Sequence, residues 1–366
     1  MKRILLLGFL LVLLQIKSDA QSSSLIILGD LHYDLLQDHD MDWLSQKPGD
    51  LRQVTEEYTI YTKENWTDFM SILKERAEQT EPPVKAVIQL GDLSEGLAGN
   101  NEKARQMASN TMGAIEAVQM PVPWILTKGN HDITGPGAVD AFQEHYVPMI
   151  RDQTSNPEIN NANYSYSYDN VQITCLDPWD KETDMVAFLE GELSESDAKY
   201  KFVAIHEPVI PVTERCWHVL RRDSEKREEF LEVIASHKAI VLCGHLHRYS
   251  VVSRATPYGP VVQAMVISVI KERDYQEPTE VITNYGPSLA ENLPHWHPET
   301  LEARKAMLSE EANHVTYFKQ TDLPGYAVIK IDEKKDRILL EYYAGFGDKP
   351  YDSVDLTKLL KPKSNQ

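Results

Sequence analysis

Cysteine is scarce: Cys175, Cys216 and Cys243 are the only three in 366 residues. They are too few and too widely spaced for a disulfide framework or a thiolate metal cluster, and Cys175 and Cys243, each closing an apolar run, read as small buried residues. Basic residues are also under-represented, 37 Lys and Arg against 56 Asp and Glu, for a formal net charge of -19. Such a surface repels a polyphosphate backbone, so no nucleic-acid partner is expected. No apolar run reaches the roughly 20 residues needed to cross a bilayer. Internal repeats, coiled-coil heptads and low-complexity tracts are missing too. What remains, 42% hydrophobic and 25% charged residues, is the composition of a globular protein with ample material for a core.

The longest apolar stretch runs from Ile4 to Leu14, behind Lys2 and Arg3 and ahead of Ser18, Asp19 and Ala20. This arrangement reads as a cleavable signal peptide over residues 1–20, predicting a secreted or periplasmic protein with no stable membrane anchor. Removing those residues leaves 34 basic and 55 acidic side chains, a charge of -21. Residues 21–366 are expected to form a single catalytic domain.

Five short apolar runs each end in Asp, Asn or His. They are Leu25–Leu28 before Gly29-Asp30-Leu31-His32, Ala86–Leu90 before Gly91-Asp92, and Trp124–Leu126 followed closely by Gly129-Asn130-His131-Asp132. Phe202–Ile205 before His206 and Ala239–Cys243 before Gly244-His245-Leu246-His247 complete the set. Continuous apolar runs mark strands covered on both faces. Between the first three lie helical patterns: Trp66, Phe69, Met70, Leu73 and Ala77 share one face, as do Ala104, Met107, Ala108, Thr111, Ile115 and Val118. Strands alternating with helices predict a largely parallel α/β sheet, whose ligands gather beyond the strand carboxyl ends. Asp30, His32, Asp92, Asn130, His206, His245 and His247 are therefore candidate ligands, enough for two ions. A donor set of carboxylate, amide and imidazole without thiolate suits manganese, iron, zinc or nickel. One carboxylate can bridge two such ions about 3.5 to 4 Å apart. A metal-bridging hydroxide would then attack phosphorus, His131 would protonate the leaving group, and Asp132 could orient His131.

As an ordered set, Asp30-x-His32, Gly91-Asp92, Gly129-Asn130-His131-Asp132, His206 and Gly244-His245-x-His247 resembles the calcineurin-like metallophosphoesterase superfamily. The resemblance spans residues 29–247. It implies a four-layer α/β/β/α sandwich with two mixed β-sheets. It further implies one metal at Asp30, His32 and His247, a second at Asn130, His206 and His245, Asp92 bridging, and His131 protonating the leaving group or stabilising the transition state. Departures narrow the branch. Purple acid phosphatases carry tyrosine three places after the bridging aspartate, where Glu95 stands here. Serine/threonine protein phosphatases carry Asp-Arg-Gly where Glu95-Gly96-Leu97 stands. Secreted nucleotidases add a large substrate-binding domain, for which the chain after His247 is expected to be too short. The neighbours left are small phosphatases and phosphodiesterases.

Residues 33–61 and 273–323 break the strand-helix rhythm and read as insertions over the strand ends, where loops shape specificity. Tyr33, Trp43, Trp179, Trp217, Tyr285 and Trp296 are candidates for an aromatic substrate wall, though each is individually expected to pack. Arg221-Arg222 is a candidate phosphate anchor on a helix face. His295-Trp296-His297, between prolines, reads as a structural corner. Residues 325–344 predict a C-terminal hairpin completing the second sheet, and Asn65 and Asn163 head glycosylation sequons. The function expected is an exported dinuclear-metal phosphoesterase acting on a small or lipid-derived phosphate monoester or diester, with no protein partner. The alternatives are a nuclease or a noncatalytic metal-binding protein of the same fold.

Overall fold

The computed structural model describes residues 22–269, 277–290 and 300–362. Residues 1–20, where a signal peptide is expected, His295-Trp296-His297 and their neighbours lie outside the described residues. The first apolar run becomes β1 (Ser23–Leu28), buried along its whole length. It pairs in parallel with β2 (Val84–Gln89), which pairs in parallel with β3 (Trp124–Leu126). On its other edge β1 meets β12 (Gly325–Asp332) antiparallel, and β13 (Arg337–Ala344) and β14 (Asp352–Asp355) follow, also antiparallel. The C-terminal hairpin thus forms over the expected residues but completes the first sheet. The reason is that β1 is the N-terminal strand and leaves an edge that buried Val328 and Ile329 cover.

The second sheet joins β4 (Tyr164–Tyr168), β5 (Val171–Leu176), β6 (Tyr200–Ile205), β7 (Ile240–Cys243), β8 (Tyr249–Thr256), β9 (Gly259–Met265), β10 (Val281–Ile282) and β11 (Val315–Thr321) in the order β10-β11-β8-β9-β7-β6-β5-β4. Strands β5, β6, β7 and β9 are mutually parallel, and the rest run antiparallel. Both sheets are therefore mixed.

Period-2 alternation assigns the layers. Phe202, Ala204, Ile240 and Leu242 share a hydrophobic cluster with β1, β2 and the helices Thr59–Gln79 and Asn101–Val118. Their neighbours Val203, Ile205, Val241 and Cys243 instead cluster with Leu189 and Phe230 of the helices Met185–Ser194 and Ser224–Ser236. Helix, sheet, sheet and helix follow in turn, the four-layer sandwich expected. Between the sheets Tyr249 stacks on Tyr342, centroids 3.8 Å apart. All three cysteines are buried and unbridged.

Residues 33–61 fold as short helices, the last of which, Pro48–Gln53, runs through a π-helical turn at Val54–Tyr58 into the helix Thr59–Gln79. Part of the second expected insertion is framework, since β10 and β11 extend the second sheet and the helix Leu301–Ala312 packs beside it through Leu308. Asn65 and Asn163 are both buried. Asn163 donates to Asp180 Oδ2 (3.0 Å) and accepts from the Asp177 amide (2.8 Å). Burial of both side chains disfavours a glycan on either asparagine in the folded chain.

Glu311, 5% exposed, locks the helix Leu301–Ala312 in place by accepting from Arg227 Nη1 (2.7 Å) and Arg254 Nε (2.9 Å). Burial opposes its charge, but the two guanidiniums outweigh that and hold its pKa below the usual glutamate value. A carboxylate with a depressed folded pKa contributes stability above its unfolded pKa and loses it as pH falls through the folded value. Glu311→Gln should therefore cost about 1–3 kcal/mol at neutral pH, because the charge facing two buried guanidiniums is lost while Gln keeps one acceptor, Arg254 keeps Glu228 (3.0 Å) and Arg227 keeps the Val209 carbonyl. The deficit should shrink below about pH 4.5, as the wild-type carboxyl protonates. Urea titrations of both proteins at pH 7 and in acid test this, and a deficit that grows on acidification contradicts it.

Candidate metal centre

Every predicted ligand lies just past a strand. Asp30 and His32 follow β1, Asp92 follows β2, Asn130 follows β3, His206 follows β6, and His245 and His247 follow β7. To turn the side chains inward there, the backbone enters the left-handed region at His32 (φ 45°), Asp92 (52°), His245 (75°) and His247 (50°). L-residues adopt that region at a cost, and such positions concentrate at functional sites. Two glycines admit the ligands across the gap between sheets. A Cβ on Gly91 would stand 2.6 Å from His206 Nδ1, and one on Gly244 would stand 2.7 Å from Asp30 Oδ2.

The seven side chains meet. Asp92 Oδ2 lies 3.1 Å from His206 Nε2 and 3.8 Å from His32 Nε2. His206 Nε2 is 3.2 Å from both Asn130 Oδ1 and His245 Nδ1. His247 Nε2 is 3.1 Å from His32 Nε2 and 3.7 Å from Asp30 Oδ1. Two compact triads result, Asp30–His32–His247 and Asp92–His206–His245, each with donor atoms within 4.8 Å of one another. Asp30 Oδ2 and His245 Nε2 are buried there without a hydrogen-bond partner. The atoms that face the centre are the others of each group, Asp30 Oδ1 and His245 Nδ1, and they converge on His206 Nε2 and His247 Nε2 within 4.0 Å.

The electrostatics agree. Burial pushes the Asp30 carboxyl up to about 8. Burial holds His32 and His245 well below the usual histidine value and His247 down to about 3. At His206 burial works in the same direction, but the adjacent Asp92 carboxylate overrides it and raises the imidazole to about 10. Neutral imidazole is the ligating form, and a cation at this spot would relieve the penalty on the buried carboxylates. The residues fit divalent metal ions.

A match to the family model described as calcineurin-like phosphoesterase covers residues 23–249, the stretch that carries all of these residues. The chain belongs to the calcineurin-like phosphoesterase family. Members bind a dinuclear metal centre, and this phosphoesterase is a metal-dependent phosphoric ester hydrolase. Among solved structures, a dimetal phosphatase from Danio rerio is similar at 13% identity, covering 91% of this chain and 98% of that one with a TM-score of 0.50. PhoD (12% identity, 92% and 68% covered, TM-score 0.49) and GAP50, the anchor in the inner membrane complex of Plasmodium (11%, 94% and 90%, 0.49), also match. At these identities the likeness concerns fold. No curated protein gives a match.

His131 stands beside the phosphoesterase's triads, its backbone N–H donating to Asp92 Oδ1 (2.7 Å) and its Nδ1 donating to the Glu95 carbonyl (2.8 Å). Asp132 does not orient that ring. Its carboxylate accepts from the amides of Gly129 (2.8 Å), Asp92 (3.0 Å) and Ser94 (3.0 Å), fixing the loops after β2 and β3. The orienting role falls to Glu95, which sequence reasoning treated only as a departure from other branches. Fully buried, Glu95 lies 2.6 Å from His32 Nδ1 and accepts from Gln53 Nε2 (3.0 Å), its Oε2 lies 3.4 Å from His131 Nδ1, and burial pushes its carboxyl well above the usual glutamate value. The contact at Nδ1 fixes the His32 ring with Nε2 toward His247 and the centre. Tyr58, also unremarked, stacks on His32 at 4.3 Å.

A cleft of about 830 Å³ opens over the centre. Of the aromatic candidates, Trp217 lines it. Trp179 packs 5.9 Å from His206, Tyr33 packs on Trp66, Tyr285 bonds to the Pro211 carbonyl, Trp43 lies beneath Lys47, and Trp296 is outside the described residues. Arg221 lies over Trp217 rather than in the cleft lining, and Arg222 is exposed.

Glu95→Gln should weaken metal retention about 10- to 100-fold, the usual effect of losing an outer partner of a ligating histidine, while leaving the fold intact. Competition with a graded chelator, read by elemental analysis, measures this. Unchanged retention would remove Glu95 from the role given to it.

Proposed function

We propose that this chain is an exported phosphoesterase that hydrolyses a small or lipid-derived phosphate monoester or diester. In this reading Asp30, His32 and His247 hold one metal, Asn130, His206 and His245 hold the second, and Asp92 lies between them. The observation that carries it is the convergence of buried carboxylate and imidazole donors into two adjacent triads, Asp30–His32–His247 and Asp92–His206–His245, with donor atoms within 4.8 Å of one another. Mixed oxygen and imidazole donors without thiolate favour manganese, iron, zinc or nickel. When bound, two such cations supply Lewis-acid charge to a phosphoryl group and make water acidic enough to act as a nucleophile near neutral pH.

The chain's own groups do the rest. Asp92 accepts the His131 amide and so keeps that residue against the centre. Because a carbonyl can only accept, the Nδ1 contact to Glu95 keeps one His131 proton on Nδ1 and leaves Nε2 for the cleft; once Nε2 takes up a second proton, the imidazolium can pass that proton to a departing alkoxide and return to the neutral Nδ1–H form. Lys2-Arg3 and the apolar stretch Ile4–Leu14 support export, and among the described residues no helix is long and apolar enough to cross a membrane. Retention of all seven ligand residues and of His131 supports catalysis over a purely binding role, and the acid excess argues against a nuclease.

His131→Ala should keep both metals and lose roughly 10² to 10⁴ in kcat, whereas Asn130→Ala and His206→Ala should empty a metal position and abolish turnover. Elemental analysis paired with hydrolysis of an aryl monoester and its bis-aryl diester reads both quantities. A dimetal His131→Ala protein with wild-type kcat would overturn the role of His131.

A further inference from the structure

The cleft has one wall that the ligand assignment leaves unused. Beside His245 and His247 it is lined by Arg215 and Trp217, carried on the loop between β6 and the helix Ser224–Ser236. That loop is built rather than slack. Arg304, 1% exposed, donates from Nη1 to the Glu214 carbonyl (2.5 Å), and Cys216 contacts the Arg304 carbonyl through Sγ (3.7 Å). His218 Nδ1 donates to the Cys216 carbonyl (2.9 Å), and Cys216 itself is left-handed at φ 52°. Trp217 sets its ring edge-on to His245 at 5.4 Å, so the loop reaches the metal triads.

Arg215 is partly buried. Burial lowers its pKa, the charge of Arg248 lowers it further, and Glu214 and Tyr58 act in the opposite sense. Arg215 lines the same cleft as His131, His245 and His247. Lys47 and Arg52, which also line the cleft, are exposed, with Asp50 and Glu57 beside them. A guanidinium partly withdrawn from water, on a pinned loop and in the same cleft as the ligand histidines, is placed to engage an anionic group of a bound molecule.

We propose that Arg215 is a specificity-determining residue that receives a second anionic group of the substrate, distinct from the phosphate facing the metal centre. The preferred substrates are then phosphoesters bearing a further phosphoryl or carboxylate group, which the guanidinium fork can engage through two hydrogen bonds. This rests on the hydrolase reading above and narrows its substrate class.

The test uses the metal-loaded full chain with phenyl phosphate, 4-carboxyphenyl phosphate and phenyl diphosphate, which separate a carboxylate from a phosphoryl source. Wild type should favour at least one doubly anionic ester over phenyl phosphate by about tenfold or more in kcat/KM, the scale of one charge-assisted hydrogen bond. Arg215→Ala should collapse that ratio toward one, Arg215→Lys should restore part of it, and Arg222→Ala should leave it at the wild-type value. A wild-type ratio near one, or a ratio unchanged in Arg215→Ala, overturns the proposal. Calorimetry with methylenediphosphonate and methylphosphonate supplies a readout independent of turnover. Arg215→Ala should weaken the diphosphonate selectively, and equal weakening of both, or of neither, counts against the proposal. If no ester turns over with both metals in place, the hydrolase reading fails on its own, and the calorimetric comparison still decides Arg215.

Discussion

Asp92 is the point on which the rest of the molecule turns. Its carboxylate is 1% exposed, accepts the His131 amide, and lies 3.1 Å from His206 and 3.8 Å from His32. Burying a charged group is costly unless partners satisfy it, and here the nearest imidazole, His206, answers the carboxylate and is raised by it to about 10, while burial drives His32 toward neutrality. A buried carboxylate ringed by imidazoles in this way is suited to receive positive charge. That requirement explains why four ligand positions accept left-handed backbone, a local cost that surrounding structure must offset.

The two sheets contribute unequal halves of the receptor. Asp30, His32, Asp92 and Asn130 follow strands of the first sheet, whereas His206, His245 and His247 follow strands of the second. The missing β-carbons are reciprocal: Gly91 of the first half makes room for His206, and Gly244 of the second makes room for Asp30. The geometry of the candidate site is thereby tied to the inter-sheet core, including the Tyr249–Tyr342 stack. A cavity opened between the sheets would shift one set of ligands against the other, so core packing and site geometry cannot vary independently.

What the sequence discloses and what it hides divide along physical lines. The strands that carry ligands were legible because a strand covered on both faces reads as a continuous apolar run, and a polar residue ending such a run stands out. The hairpin was legible from its alternation, but its sheet was not, because edge pairing with β1 is a long-range choice with no local signal. Glu95 was hidden for a similar reason. Its contacts to His32 and Gln53 depend on how the loop after β2 folds back under residues 48–58, and a glutamate in a loop carries no mark of burial. Asp132 shows the converse error. Adjacency to His131 suggested a side-chain pair, but a short 3-10 turn at His131–Ile133 directs the two side chains apart and turns Asp132 toward backbone amides.

Net charge poses a last question, since a chain with a formal charge of -19 would be expected to repel any phosphate ester. Screening resolves it. At physiological ionic strength exposed charges lose influence beyond about 8 Å, so the dispersed surface carboxylates set solubility rather than recognition. Within the cleft the relevant charges are few and fixed, and water is partly excluded, which strengthens each of them. The acidic side chains nearest the centre, Asp30, Asp92 and Glu95, are buried and directed at imidazoles, amides or a cation position, so they present little negative field to an incoming anion. With cations held at the triads, an anionic ester would meet local positive charge inside a globally negative protein, so net charge and phosphate recognition are governed by different groups.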